Sequence, residues 1–271
     1  MKVAALQMVS GARLADNLAQ ARALLEQAAA AGAELAVLPE YFSAMGLQDR
    51  DKLALAETLG DGAVQAFLAD TARTLGLWTV GGTLPLACAS PQHVRNSTLV
   101  YSPQGECVAR YDKVHLFRFR QGQEQYDEGQ SIEAGRLPVQ FRLRSRSGQD
   151  WCVGLSICYD LRFPELYRLH AQAGAQLLLV PSAFTHTTGQ AHWEVLLRAR
   201  AIENQAYVLA CAQAGQHENG RHTWGHSMLV GPWGEVLAQH AQGACVVYGT
   251  LDAERLRQVR LQMPALEHRV L

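Results

Sequence analysis

One pattern occurs twice in this chain, and it narrows the possible folds more than any other feature. AGAELAVLP (31–39) and AGAQLLLVP (173–181) each read as a helix end, a glycine, a short apolar run and a proline. An apolar run of that length, entered through a glycine stop, fits a buried strand better than a helix. Two such helix–strand units suggest two related halves. Helical stripes and further strands surround both units, and some of the strands are joined as hairpins. This mixture indicates an α/β layered domain with a mixed sheet. No linker divides the chain, so a single domain over 1–271 is expected, with a tail from about residue 262.

The pattern can be followed in order. KVAALQM (2–8) reads as a first strand. Asp16 or Asn17 can cap a helix with apolar positions Leu14, Leu18, Ala21, Leu25 and Ala28, ending at Gly32. A second helix carries Val64, Phe67, Leu68, Ala72 and Leu75 and stops at Gly76, and 77–81 is then a strand. Residues 96–101 and 106–111, separated by SPQG, read as a hairpin. From 116 to 135 no period holds, and an unstructured loop is expected; loops that long inside a compact domain are usually functional. Strands follow at 137–143 and 151–157, then a helix, a strand at 176–180 and a helix from 189 to 204. Strands resume at 206–212, 223–230, 236–240 and 245–251, before a last helix from Asp252.

Composition excludes several classes. A net charge of −1 argues against an electrostatic grip on nucleic acid or an anionic membrane. The arginines at 136–146 alternate with apolar residues across FRLR, the period of a half-exposed strand. No apolar run approaches the ~20 residues of a membrane helix. The N-terminus lacks a secretory pattern. The six cysteines (88, 107, 152, 158, 211 and 245) form no CxxC pair and no zinc spacing, which fits a reduced, cytoplasmic protein.

Three ionisable residues fall where strands finish. Glu40 follows VLP, Lys113 follows the hairpin, and Cys158 stands between the strand 151–157 and a helix opened by Pro164 and Glu165. Loops at strand ends converge over a rigid sheet, which is where α/β proteins place their sites. A thiol at a strand-to-helix junction lies beside unpaired N–H groups, and those donors favour a thiolate and an oxyanion.

LPEYF with Glu40, YDKVHLF with Lys113 and ICYDLRFPELYR with Cys158 resemble the three signature segments of the nitrilase superfamily of carbon–nitrogen hydrolases. Residues 191–208 and 224–237 are similar to its Nit branch, the omega-amidases and deaminated glutathione amidases. The likeness runs in order over almost the whole chain. It implies an αββα sandwich that dimerises to αββααββα. It also implies Glu40 as general base, Lys113 as transition-state stabiliser, Cys158 as nucleophile and Glu128 as a second glutamate that positions substrate and lysine. The reaction implied is hydrolysis of a terminal carboxamide of a small acid to acid and ammonia. An N-carbamoyl amino acid hydrolase or a nitrilase is the alternative within the superfamily.

The chemistry can be argued without the resemblance. Splitting an amide needs a nucleophile, a proton for the departing amine and donors for the oxyanion. Lys113 and the helix start should lower the pKa of Cys158 and Glu40 should raise it, so one proton is shared between acid and thiol. Lys113 and the backbone N–H of Tyr159 would hold the oxyanion, and Phe184 and Thr185 are placed to line the pocket. Neither metal nor organic cofactor is required, and the partners expected are a small amide and a second copy of the chain. Rival readings are a Cys–His site using His115, His186 or His192, a serine elbow at Ser156, thiol redox chemistry, and a non-catalytic interaction protein that kept the fold. Arg162 and Glu165 are expected to brace the helix, and Trp193, Leu196 and Leu197 to form a core or interface stripe.

Overall fold

The computed structural model describes residues 1–122 and 124–270. Its first half contains β1 (Lys2–Gln7), α1 (Leu14–Ala30), β2 (Leu35–Val37), α2 (Asp51–Ala54), α3 (Ala63–Leu75), β3 (Trp78–Val80), β4 (Leu84–Ala87), β5 (Val94–Tyr101) and β6 (Cys107–Asp112). A small hairpin of β7 (Arg118–Gln121) and β8 (Glu124–Asp127) leads to β9 (Gln140–Arg144), β10 (Asp150–Leu155), α4 (Pro164–Gln172), β11 (Leu177–Ser182) and α5 (His186–Asn204). The chain closes with β12 (Tyr207–Ala212), β13 (Ala214–Gln216), β14 (His222–Trp224), β15 (Ser227–Val230), β16 (Val236–His240), β17 (Cys245–Thr250) and α6 (Ala253–Gln262).

Two mixed sheets result. One runs β17-β1-β2-β3-β5-β4 with β6 beside β5, and the other runs β16-β15-β12-β11-β10-β9. In each, a central triple is parallel: β1, β2 and β3 in the first, β10, β11 and β12 in the second. The remaining neighbours in each sheet are antiparallel. The repeated sequence unit supplies the middle strand of both triples, β2 and β11. Each is entered through a glycine at positive φ, Gly32 at 82° and Gly174 at 87°. Only a residue without a Cβ makes that turn at no steric cost.

Helices α1 and α3 cover the outer face of one sheet and α4 and α5 that of the other, giving four layers. The inner faces of both sheets feed one hydrophobic core, from Val3, Leu35 and Val80 to Val153, Leu179 and Leu209. Polar links cross between them: the Cys211 thiol donates to the Leu6 and Val37 carbonyls at 2.8 and 3.0 Å, and Gln7 Oε1 accepts from Ser227 N at 2.9 Å.

Several expectations need correction. Helix α1 begins at Leu14, earlier than a cap at Asp16 or Asn17 allows. Asn17 instead faces inward and bonds Gly11 and Ser43 through its amide. The stretch 116–135 is not an unstructured loop, because it holds β7, β8 and a 3₁₀ turn at Glu128–Gln130. Its four-residue strands are too short and too polar to show a period. Helix α5 starts at His186, not at Gly189, because Thr185 caps it by accepting from Thr188 N. The strand expected at 223–230 is broken at Gly225 and His226, both at positive φ, and its pieces join different sheets.

Gly82 fixes the turn that presents the first acidic site residue. Its φ is +47°, and a Cβ there would fall 2.0 Å from the carbonyl oxygen of Pro39. Gly82→Ala is therefore expected to lower the unfolding free energy by roughly 1–3 kcal/mol, since both the backbone conformation and the contact become strained. Urea denaturation measures this, and an unchanged midpoint would contradict it.

Candidate active site

The two sheets bring four side chains together at their strand ends. Glu40 lies just past β2, at the end of the first copy of the repeated unit. Lys113 directly follows β6, and its backbone is pinned on both sides, by Lys113 N to Asn96 O at 2.9 Å and by Gly135 N to Lys113 O at 2.8 Å. Glu128 opens the 3₁₀ turn after β8. Cys158 follows β10 and opens a 3₁₀ turn, Cys158–Arg162, with φ at 49°. A non-glycine residue at positive φ is held there only by its surroundings. Here the holding group is Asp160, fully buried, whose carboxylate accepts from Ile157 N at 2.9 Å, Tyr111 OH at 2.7 Å and His115 N at 3.0 Å. Since Tyr111 is on β6, one carboxylate ties the cysteine turn to the strand that delivers Lys113.

The Lys113 ammonium lies 2.9 Å from Glu40 Oε1 and 2.9 Å from Glu128 Oε1. The lysine side chain is 0 % exposed, Glu40 1 % and Glu128 12 %, so this is a buried triad of charges. Every carboxylate oxygen has further donors. Glu40 also accepts from Asn96 Nδ2 at 3.0 Å and from the backbone N–H of Ala183 at 2.9 Å. Glu128 also accepts from Tyr41 OH at 2.8 Å and from Phe117 N at 2.7 Å. Saturation of this kind is what makes burying the charges tolerable.

Electrostatics divides the roles. Burial pulls the Lys113 pKa down, but Glu128, Glu40 and Cys158 outweigh it and raise it above the ordinary lysine value. Burial pushes Glu128 up, yet the Lys113 charge wins and its carboxyl is held below the usual range. At Cys158 the opposing influences expected of Lys113 and Glu40 are both present, and burial joins the acid. Burial pushes its thiol well up, Glu40 adds to this by charge and by a hydrogen bond, and Lys113 opposes them. Helix α4 opens at Pro164 as expected, and Cys158 itself opens the 3₁₀ turn before it. The upward shift favours a thiol as the resting form of the sulfur.

Cys158 lines a narrow cleft together with Phe117, Tyr159, Arg162, Phe184 and Thr185. Thr185 reaches the cleft while its hydroxyl caps α5. Arg162 faces this cleft as well, its guanidinium 5.6 Å from the Tyr159 ring and 5.3 Å from that of Phe184, whereas Glu165 is exposed on α4. Trp193 and Leu197 are fully buried and belong to the core. The histidines of the rival reading are engaged elsewhere. His115 Nδ1 is 2.7 Å from Asp160, His192 meets Arg162, and His186 stacks on His222. Ser156 is buried and spends its hydroxyl on Tyr167 and Leu179. Sequence reasoning missed Asn96, Tyr41 and Asp160, the residues that satisfy the charged atoms. A polar residue inside a strand such as VRNSTLVY reveals its partner only once the neighbouring loop is placed. Among the described residues no group of three or more His, Cys, Asp or Glu is arranged to hold a metal ion.

Fold and site together define a class. Residues 2–261 match the carbon-nitrogen hydrolase family, and the chain belongs to it. It is 42 % identical over 270 residues to the deaminated glutathione amidase of Synechocystis sp., a match covering 98 % of this chain and 97 % of that protein. Nit3 of Saccharomyces cerevisiae, a member of branch 10 of the nitrilase superfamily, superposes with a TM-score of 0.88 at 30 % identity, over 100 % of this chain and 97 % of the yeast protein. The amidase of Nesterenkonia sp. AN1 superposes with a TM-score of 0.79 at 27 % identity, over 97 % and 98 % of the two chains. That structure is of a glutamate-to-glutamine mutant in which acrylamide has added to the active-site cysteine.

Removing the lysine charge would leave two carboxylates buried without a counterion. Lys113→Met is expected to destabilise the fold by about 3–5 kcal/mol near neutral pH. The loss should depend on pH with a definite sign. Glu128 sits below its ordinary 4.5, so its contribution is full above that value and fades as the pH falls through the folded pKa. Lys113 sits above its ordinary 10.5, so its contribution is full below that value. Urea titrations of wild type and variant should therefore converge on acidification below 4.5 and not at pH 9; a gap independent of pH would contradict the charge cluster.

Proposed function

We propose that this protein is a thiol amidase that hydrolyses the amide of a small carboxylic acid through a thioester on Cys158. The observation that carries the reading is a single buried cluster in which Glu40, bonded to the Lys113 ammonium, acts on the Cys158 thiol. A carboxylate in that position can accept the thiol proton only as sulfur attacks the carbonyl carbon, which suits a nucleophile that rests protonated. The tetrahedral oxyanion falls to Lys113 Nζ and the backbone N–H of Tyr159. Collapse breaks the C–N bond, and Glu40 returns the proton to the amine as it leaves. Glu40 then takes a proton from water, whose oxygen attacks the thioester, and the proton passes to the departing sulfur. Lys113 keeps its proton throughout, because the Glu128 carboxylate stays ionised beside it even when Glu40 carries a proton. Glu128 positions Lys113 and is itself fixed by Tyr41 and Phe117. Phe184 and Thr185 line the cleft beside the sulfur.

The name of the Synechocystis relative favours an amide of a keto or dicarboxylic acid as the substrate class. The same reading takes residues 1–271 as one functional unit. It places the protein in the cytoplasm, where six unpaired cysteines would stay reduced. No helix among the described residues is long and apolar enough to cross a membrane. It also pairs two copies through the α4 and α5 layer, where Leu169, Val195 and Ile202 are 48 %, 68 % and 44 % exposed. Stacking that face on itself would give αββααββα, and sedimentation should show a dimer that Val195→Asp weakens.

Cys158→Ala is expected to abolish ammonia release from a primary carboxamide while thermal unfolding stays cooperative. Rapid quenching of the wild type on a slow substrate should show an acyl adduct on Cys158 by intact-protein mass spectrometry. Turnover by the variant within about tenfold of wild type would overturn the nucleophile assignment, since losing a nucleophile normally costs far more.

A further inference from the structure

The turn that carries the sulfur is clamped by the residues flanking the lysine. Tyr111 and His115 stand on either side of Lys113, and both reach the Asp160 carboxylate. Asp160 Oδ2 accepts from Tyr111 OH at 2.7 Å and from Ile157 N at 2.9 Å. Its Oδ1 accepts from His115 N at 3.0 Å and lies 2.7 Å from His115 Nδ1. A carboxylate that already takes two backbone N–H groups is an acceptor, so His115 donates to it from Nδ1. That bond is available to the neutral and to the charged ring alike.

The ring is also held by its face. It stacks on Phe163, with centroids 3.6 Å apart and planes 6° from parallel. Phe163 closes the turn, its N–H bonded to Asp160 O at 3.0 Å, and its ring meets that of Tyr159 edge-on at 5.4 Å. His115 thus grips the Cys158–Arg162 turn at its middle and at its end, while its backbone continues the segment that delivers Lys113. Cys158 needs such a grip, because a side-chain-bearing residue at a φ of 49° relaxes when its surroundings loosen. A shift of about 1 Å from the reacting geometry costs on the order of a hundredfold in rate.

We propose that His115 is a positioning residue: through its hydrogen bond to Asp160 it holds the Cys158 sulfur against Glu40 and keeps the Tyr159 N–H where the oxyanion forms. It is absent from the lining of the Cys158 cleft and exchanges no proton with the reactants. The role rests on the amidase reading above for the identity of the nucleophile. The imidazole is 26 % exposed while Asp160 is fully buried, so the ring can be changed without emptying a core position.

Two variants separate the hydrogen bond from the stack. His115→Phe keeps an aromatic face and loses the donor, whereas His115→Asn keeps a donor near the place of Nδ1 and loses the ring. On a primary carboxamide, His115→Phe is expected to lower kcat by about tenfold or more with KM within about twofold, the size of one charge-assisted hydrogen bond. His115→Asn should recover most of that loss. Alkylation of Cys158 by acrylamide, followed by intact-protein mass spectrometry, should rank the three proteins in the same order, because it too needs Glu40 to reach the thiol. In the wild type, NMR of isotope-labelled histidine should find the His115 proton on Nδ1. Equal kcat for wild type and His115→Phe, no recovery by His115→Asn, a loss confined to KM, or a bare Nδ1 would each overturn the proposal. If wild type releases ammonia from no primary carboxamide, the amidase reading falls, while the order of alkylation still decides whether His115 places the sulfur.

Discussion

Everything in the site hangs on one ammonium held between two buried carboxylates. Lys113 has no water to solvate it, so its charge depends on Glu40 and Glu128, and theirs depend on it. In a low-dielectric interior such a cluster is tolerable only if every oxygen is also hydrogen-bonded. The surroundings meet that condition with Asn96, Tyr41, Phe117 N and Ala183 N. These donors come from distant parts of the chain, and together they dictate how the two sheets and the 117–128 segment must sit. The same cluster explains why a protonated thiol is compatible with nucleophilic chemistry. In the proposed mechanism Glu40 takes the proton as sulfur attacks, so no free thiolate has to be stabilised in the resting state.

The repeated unit acquires a physical meaning here. Both copies end in a proline at the end of the middle strand of a parallel triple, just past β2 in the first and inside β11 in the second. The first copy continues into Glu40, the second into Ser182 and Ala183, and the Ala183 N–H donates to the Glu40 carboxylate at 2.9 Å. The two halves of the fold therefore meet at the candidate site, one supplying Glu40 and the other a donor for its carboxylate. Asp160 makes a second bridge of this kind. It joins the cysteine turn on one sheet to Tyr111 on the other, and so sets the approach of sulfur to lysine. Rigidity at a seam between two sheets is what a preorganised site needs.

How much of this was legible beforehand varies by residue. Glu40, Lys113 and Cys158 could be read as strand-end residues, because strand ends follow from apolar runs and their stops. Gly76 was likewise legible as a helix stop and Asp252 as the start of the last helix; Gly76 closes α3, and Asp252 caps α6, which begins one residue on. The hairpin β7–β8 was not, since four polar residues carry no period. The balance at Cys158, where Lys113 and Glu40 were expected to pull in opposite directions, could not be struck for a related reason. Burial outweighs a single nearby cation, and burial is set by what packs over the sulfur, not by its place in a strand-to-helix turn.

By itself the sequence determined the alternation of strands and helices, the positions of the strand ends and the residue types that stand there. Those are local properties, written in periodicity and in the backbone preferences of glycine and proline. Only the tertiary structure decided that Glu40, Lys113, Glu128 and Cys158 share one buried volume, that Asn96 and Ala183 complete it, and that Arg221, Lys52 and Asp49 line the neighbouring cavity. Charges far apart in the chain acquire an interaction energy only when folding excludes the water between them.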